Sequence, residues 1–270
     1  MSKEMYCYVG DLLGFSKIIG NLDPADQSER VDQWTTLIED SARRNCLTDY
    51  QMISDTVFAG ADNTPEGLEN IINFAKDMLE KGISKSLPVR AAISFGEVTW
   101  APKVSFGKAI VEAYNHANNQ NWIGTACEPS LVKHIDSKND ELWDLDKVVM
   151  YMAPLKSGIV RQMPVISWNL PPSDVARYTL ADRLVVQTLG KGLCRSGDNV
   201  KWSNEIKIQN TLIFLIYIKI LKNSHKHMVA VGNEVLKRHP YFLAKVSNDP
   251  LKIIDMVLTE RNIITLPDTL

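Results

Sequence analysis

The order of strand and helix signals in the first part of the chain constrains its fold more than any other feature. An apolar run at 5–11 reads as a strand. It is followed by a helix that starts near Pro24 and carries Val31, Trp34, Leu37 and Ile38 on one stripe. Residues 47–60 hold two strand-like runs joined at Ser54-Asp55, a hairpin pattern. A second helix is expected over 65–81, with Pro65 in its first turn and Gly82 at its end. A strand at 89–94 then leads through Gly96 into a further strand at 97–100. The order βαββαβ predicts an α+β fold of the ferredoxin-like or palm type, an antiparallel sheet flanked by helices.

This topology gives two aspartates a meaning. Right-handed crossovers make the first two strands point the same way and place the first beside the third. Asp11 ends the first strand and Asp55 sits in the turn between the second and third. Either one alone would be an ordinary turn residue, because Asp caps nearby backbone N–H groups. Together they are expected on the same sheet edge. Two converging carboxylates suit a two-metal phosphoryl-transfer site, since hard divalent cations take oxygen ligands and leave much of their shell to water and phosphates. Gly14-Phe15-Ser16 after Asp11 forms a turn opening toward a helix, which offers free N–H groups to phosphate.

Composition narrows the partner classes. The chain has 270 residues, 45% hydrophobic and 23% charged, and a net charge of -2. That balance is globular and gives no footprint for non-specific nucleic-acid binding. Cys7, Cys46, Cys127 and Cys194 form no CxxC pair, and Cys7 is expected as a buried thiol. The first residues lack signal-peptide regions, and the greasiest stretch, 212–218, is too short to span a bilayer. The expectation is a cytoplasmic protein with no membrane and no nucleic-acid partner.

Farther along, a helix is expected over 107–119 and strands at 148–153 and 163–168. After Pro171-Pro172-Ser173 the pattern turns helical, near 173–190, 203–222, 225–237 and 249–260. Two units follow: 1–170 as the sheet domain and 171–270 as a helical C-terminal extension.

The residues resemble the class III adenylate and guanylate cyclases over 5–168. Asp11-Leu12-Leu13-Gly14-Phe15-Ser16 is similar to that family's Asp-Ile-x-Gly-Phe-Thr motif, and Ile53-Ser54-Asp55 to its Leu-Gly-Asp hairpin. Arg90-Ala91-Ala92-Ile93-Ser94-Phe95-Gly96-Glu97-Val98 resembles its Arg-x-Gly-Ile-His-x-Gly-x-Val segment, and Phe106-Gly107-Lys108 its Trp-Gly-x segment. The resemblance implies a class III cyclase domain in which Asp11, Asp55 and the Leu12 carbonyl hold two divalent ions, Mn²⁺ or Mg²⁺. It implies that Asp11 and Asp55 are catalytic and that Phe15 lines a triphosphate channel. It also implies a head-to-tail homodimer with sites at the interface.

The departures from the family pattern are informative. The Lys with which purine cyclases choose their base is replaced by Gln51, beside Tyr50, and the second selector falls near Val104. Tyr50 would shrink the pocket toward a one-ring base, and Gln51 can both donate and accept to a pyrimidine edge. The ribose-orienting Asn corresponds to Val111 and the charge-stabilising Arg to Asn115, so Lys108, Arg90 or a shifted Asn would have to supply the missing donor. Gly107-Lys108 through Ala113-Tyr114 to Asn119-Gln120-Asn121-Trp122-Ile123-Gly124 resembles the pyrimidine cyclases of bacterial Pycsar antiphage systems. That resemblance implies UTP, ahead of CTP, as substrate and a cyclic nucleotide that signals to a separate effector. The competing readings are a purine cyclase with unusual base contacts and a catalytically dead cyclase-like sensor or scaffold.

Overall fold

The computed structural model describes residues 2–15, 23–101, 105–138, 146–170 and 205–223. Strand β1 is Ser2–Leu12 and helix α1 is Pro24–Arg44. The hairpin is β2 (Asp49–Ile53) and β3 (Thr56–Asp62), and α2 is Pro65–Ser84. Strand β4 is Val89–Thr99, α3 is Lys108–Asn119, β5 is Gly124–Cys127 and α4 is Pro129–Lys138. Strands β6 (Val148–Pro154) and β7 (Val160–Ile166) form a second hairpin, and α5 is Glu205–Asn223.

Local chemistry sets the helix starts. Asp23 accepts from the Ala25 and Asp26 amides at 3.0 Å, with Pro24 in the first turn of α1. Thr64 caps α2 by accepting from the Gly67 amide at 2.9 Å.

The seven strands lie in the order β2-β3-β1-β4-β5-β7-β6. Every neighbouring pair is antiparallel except β4 and β5, which are parallel. The first four strands realise the expected βαββαβ order, with β1 between β3 and β4. The fold is α+β, a mixed seven-stranded sheet flanked by helices.

Three expectations need correction. The strands at 89–94 and 97–100 are one strand, because Gly96 stays in the ladder opposite Met5 along the whole length of β1. Strand β5 and helix α4 were not expected: β5 is four residues, buried throughout and too short to show periodicity. Strand β7 starts at Val160 rather than 163. The boundary at 170/171 and the helices expected at 173–190, 225–237 and 249–260 lie outside the described residues, as does Val104. The helix expected at 203–222 corresponds to α5. Among the described residues, no helix is long and apolar enough to cross a membrane.

The two sheet faces differ. Alternate residues of β1 split between them, as strand geometry requires. Tyr6, Tyr8 and Leu12 join the main core with Trp34 and Leu37 of α1 and Ile71, Phe74 and Met78 of α2. Met5, Cys7 and Val9 form a smaller cluster with Val98 and with Ala109, Ile110 and Ala113 of α3. The first face is closed by helices, and on the second α3 supplies the helical side of the cluster. The core extends to α5, whose Phe214, Leu215 and Ile218 are buried with Trp122, Tyr151 and Trp168.

Candidate active site

Asp11 shares the strand parity of Met5, Cys7 and Val9, so it emerges on the open, α3-bearing face. The preceding glycine is needed on the other face. A Cβ at Gly10 would sit 2.5 Å from the Tyr8 hydroxyl oxygen, because the tyrosine ring lies along the strand there. In register, Asp11 lies between Thr56 of β3 and Arg90 of β4. The Leu12 amide donates to the Asp55 carbonyl at 3.0 Å, which ties the end of β1 to the β2–β3 turn. The topology therefore brings Asp11 and Asp55 to one edge. Ser54, just before Asp55, holds φ 58°, a conformation that non-glycine residues adopt rarely and that tight hairpin turns demand.

Arg90 fixes Asp11. Its Nε donates to Oδ1 at 3.2 Å and its Nη2 to Oδ2 at 2.9 Å. The Arg90 side chain is 5% exposed and that of Asp11 22%. The rest of the guanidinium faces the C-terminal end of α3: Nη2 donates to Asn118 Oδ1 at 3.0 Å, and Nη1 to the Gln120 carbonyl at 3.1 Å. A buried arginine with nearly all its donors engaged is a rigid brace. Lys156, at the tip of the β6–β7 hairpin, belongs to the same neighbourhood. Burial and the charge of Arg90 lower its pKa below the usual lysine value, with Asp11 opposing.

The residues present fit a pair of hard divalent cations. Each Asp11 oxygen gives one contact to Arg90 and keeps further lone-pair capacity. Among the described residues no side chain hydrogen-bonds or ion-pairs with Asp55. With the Leu12 carbonyl these donors are all oxygen, the set that suits Mg²⁺ or Mn²⁺. No group of three or more His, Cys, Asp or Glu side chains able to hold a metal occurs among the described residues. Two carboxylates alone leave most of a shell to water and substrate phosphates, as magnesium sites commonly do.

The remaining expected site residues are distributed differently. Gln51 stands opposite Phe58, which stands opposite Val9, so Gln51 is on the open face with Asp11. Its Nε2 donates to the Ala101 carbonyl at 2.7 Å, which leaves Oε1 as its free acceptor. Tyr50 stands opposite Ala59 and Tyr8, on the other face. This corrects the expectation that Tyr50 shrinks a pocket shared with Asp11: a one-residue step along a strand reverses the side chain. Phe15 is partly buried against the main core, and residues 16–22 beside it lie outside the described residues.

Lys108 is not brought to the aspartates, whereas Asn115 stands one helical turn before Asn118. The Ser94 hydroxyl donates to the Ala109 carbonyl while Arg90 binds Asn118, so α3 runs antiparallel to β4. Lys108 therefore sits at the far end of the helix, about 15 Å from Asn118 along its axis. It pairs with Glu112 at 3.4 Å and is 81% exposed. Asn115 is exposed on α3.

Two residues at the site were missed from sequence. Asn118 follows the matched segment of α3, and its role as an Arg90 acceptor depends on where that helix ends. Lys156 lies in a Pro-to-Gly turn run and resembles any surface turn cation. Its position depends on docking of the hairpin against α3, where the Lys156 amide donates to the Asn119 carbonyl at 2.8 Å.

No protein-family model and no curated protein sequence matches the chain. Among solved structures, similarity is found to the guanylate cyclase domain of RhGC from Catenaria anguillulae in complex with GTP, at 13% identity, covering 62% of this chain and 97% of that one, with a TM-score of 0.48. The monomeric guanylyl cyclase domain of the RhoGC fusion protein from Blastocladiella emersonii is 18% identical over 61% of this chain and 96% of that one, with a TM-score of 0.48. The adenylyl cyclase CyaB from P. aeruginosa is 13% identical over 64% and 97%, with a TM-score of 0.44. The fold itself is defined here by strand order and pairing.

Proposed function

We propose that this chain is a metal-dependent nucleotidyl cyclase of the class III type, converting a nucleoside triphosphate to its 3′,5′-cyclic monophosphate and pyrophosphate. The observation that carries the reading is the meeting of the Asp11 and Asp55 backbones at one sheet edge, with Arg90 clasping Asp11. Two divalent ions held by Asp11, Asp55 and the Leu12 carbonyl would supply the Lewis acidity that activates a ribose hydroxyl and offsets charge on the leaving pyrophosphate. In this account Arg90 holds the Asp11 carboxylate in one orientation. Lys156 presents an exposed ammonium to an anionic triphosphate. Gln51 presents Oε1 to a base donor such as the uracil N3–H.

The working unit in this reading is a head-to-tail pair of chains. Lys108 lies at the end of α3 away from Asp11 of the same chain, so it would reach a nucleotide held there only from a partner. The surface near it is apolar: Phe106, Val111 and Tyr114 are 58%, 57% and 46% exposed. A face of this kind suits burial against a second copy.

UTP is our choice of substrate, ahead of CTP, and the product would act as a second messenger on a separate effector in antiphage defence. With Tyr50 turned away, the pyrimidine preference rests on Gln51, on the absence of the purine-selecting Lys, and on the resemblance of 107–124. A second reading, a non-catalytic cyclase-like module, draws on the Arg90–Asp11 pairing, since an aspartate braced by a buried arginine also serves as a structural ion pair.

The deciding test incubates the purified protein with Mn²⁺ and each of ATP, GTP, CTP and UTP, with products resolved by mass. A cyclic pyrimidine monophosphate is expected. Cyclic AMP or cyclic GMP would keep the metal site and overturn the base assignment. No product from any of the four would favour the non-catalytic module.

A further inference from the structure

The role of the segment beyond residue 170 can be addressed through its one described piece, α5. This helix does more than cover the sheet. Two of its polar side chains are buried, Asn210 at 7% exposure and Thr211 at 0%. Asn210 Nδ2 donates to the Asn121 carbonyl at 2.8 Å, and the Thr211 hydroxyl accepts from the Ile123 amide at 2.9 Å. The Thr211 hydroxyl donates in turn to the Lys207 carbonyl at 2.6 Å, which fixes its direction. Both contacts fall on the short connection between α3 and β5.

That connection also holds Arg90. The Gln120 carbonyl and the Asn118 side chain accept from the guanidinium, and the guanidinium clasps Asp11. Asn121 is held on its other side as well, its amide donating to the Pro154 carbonyl at 2.9 Å. Gln120 is buried and donates to the Ala91 carbonyl at 2.8 Å, next to Arg90 on β4. A chain of direct contacts therefore runs from α5 through 118–123 to Arg90 and Asp11. It is built of buried and part-buried hydrogen bonds, whose partners have little water to fall back on when one is removed.

We infer that Asn210 and Thr211 are positioning residues for the Asp11 carboxylate, acting through the 118–123 connection and Arg90. Helix α5 is by this account part of the site's scaffold, and its displacement would loosen the metal-facing aspartate. The catalytic consequence rests on the proposed cyclase reading; the positioning of Arg90 does not. Packing alone would make α5 interchangeable with any apolar helix. The positioning account instead demands that the two polar contacts matter more than equally buried apolar ones such as Ile218.

The test uses the full chain labelled with ¹⁵N-arginine. The Arg90 Nε–H resonance is assigned by its loss in Arg90→Lys, and its exchange with water is followed by NMR. Thr211→Val and Asn210→Ala should each speed that exchange by about tenfold, the scale of one lost buried hydrogen bond. Thr211→Ser, which keeps the hydroxyl, should restore the original rate, and the apolar control Ile218→Val should stay within about twofold. Unchanged exchange in both clamp variants, or an equal rise in the Ile218→Val control, would overturn the inference. Turnover gives a second readout. Thr211→Val should lower kcat about tenfold in the native background and add less than about twofold in the Arg90→Lys background. An equal loss in both backgrounds would show that Thr211 does not act through Arg90. A wild-type protein that cyclises no nucleotide would end the cyclase reading and leave the exchange result standing.

Discussion

The two faces of the central sheet are built to different specifications. On one, α1 and α2 bury Tyr6, Tyr8 and Leu12 under Trp34, Leu37, Ile71 and Phe74 in a continuous core. On the other, α3 covers Met5, Cys7 and Val9 with Ala109, Ile110 and Ala113, and the same face carries Asp11, Arg90 and Gln51. Strand alternation produces this division, because every β1 residue belongs to one face or the other. The closed face supplies cohesion and the α3-bearing face carries the charged and polar side chains. Stability and chemistry are therefore separable by mutation except at Asp11, whose pairing with buried Arg90 serves both.

The sharpest way to break the comparison is at the aspartates. Asp11→Ala should abolish turnover and also unfold more easily, because it strands the buried Arg90 charge, at a cost of about 2–4 kcal/mol. Asp55→Ala should lose turnover with stability within about 0.5 kcal/mol of the native protein. Urea denaturation of the pair checks the contrast, and equal destabilisation would mean that the Arg90–Asp11 pair is not what the geometry indicates. On the closed face Phe74→Ala should cost about 3–5 kcal/mol, while kcat per folded molecule stays unchanged.

Alkaline pH probes both faces at once. Burial pushes the thiols of Cys7, under α3, and Cys127, in the main core, up to about 12 from an unfolded value of 9.0. Between those values the folded state holds protons that the unfolded state has released. Stability should therefore be full below pH 9 and fall as the pH rises toward 12. By pH 11 the loss should reach about 2–3 kcal/mol per thiol. Denaturation curves at pH 8 and 11 test this, with Cys7→Ala and Cys127→Ala each removing part of the slope.

The smallest effect expected is on strand β2. Gln51→Ala should change kcat/KM for the preferred nucleotide by about tenfold, whereas Tyr50→Ala, on the other face, should stay within about twofold. A larger effect at Tyr50 would reverse the assignment of faces.

What was legible in the sequence follows from which signals are local. Helices α1 and α2 announce themselves by Pro24 and Pro65 at their starts, α1 also by its apolar stripe and α2 by Gly82 near its end. Their alternation with strands then implies where Asp11 and Asp55 meet. The face of Tyr50 was not legible, because it depends on the β2–β3 register and a slip of one residue reverses it. Strand β5 was missed because Gly124-Thr125-Ala126-Cys127 is short and buried on both sides, with no polar alternation to count. Asn118 and Lys156 belong to the site only through docking of distant elements. Nothing in their own neighbourhoods distinguishes them from a helix end and a surface turn.

The central claim is that Asp11 and Asp55 form one metal-dependent phosphoryl-transfer site. The most direct test is Mn²⁺-dependent turnover of UTP by the wild-type chain and by Asp55→Ala, with product identified by mass. The account predicts cyclic UMP that rises with Mn²⁺ and vanishes on chelation, and a loss of at least about a thousandfold in Asp55→Ala with the fold intact. Turnover that persists in Asp55→Ala, or that ignores Mn²⁺ and its removal, would contradict it.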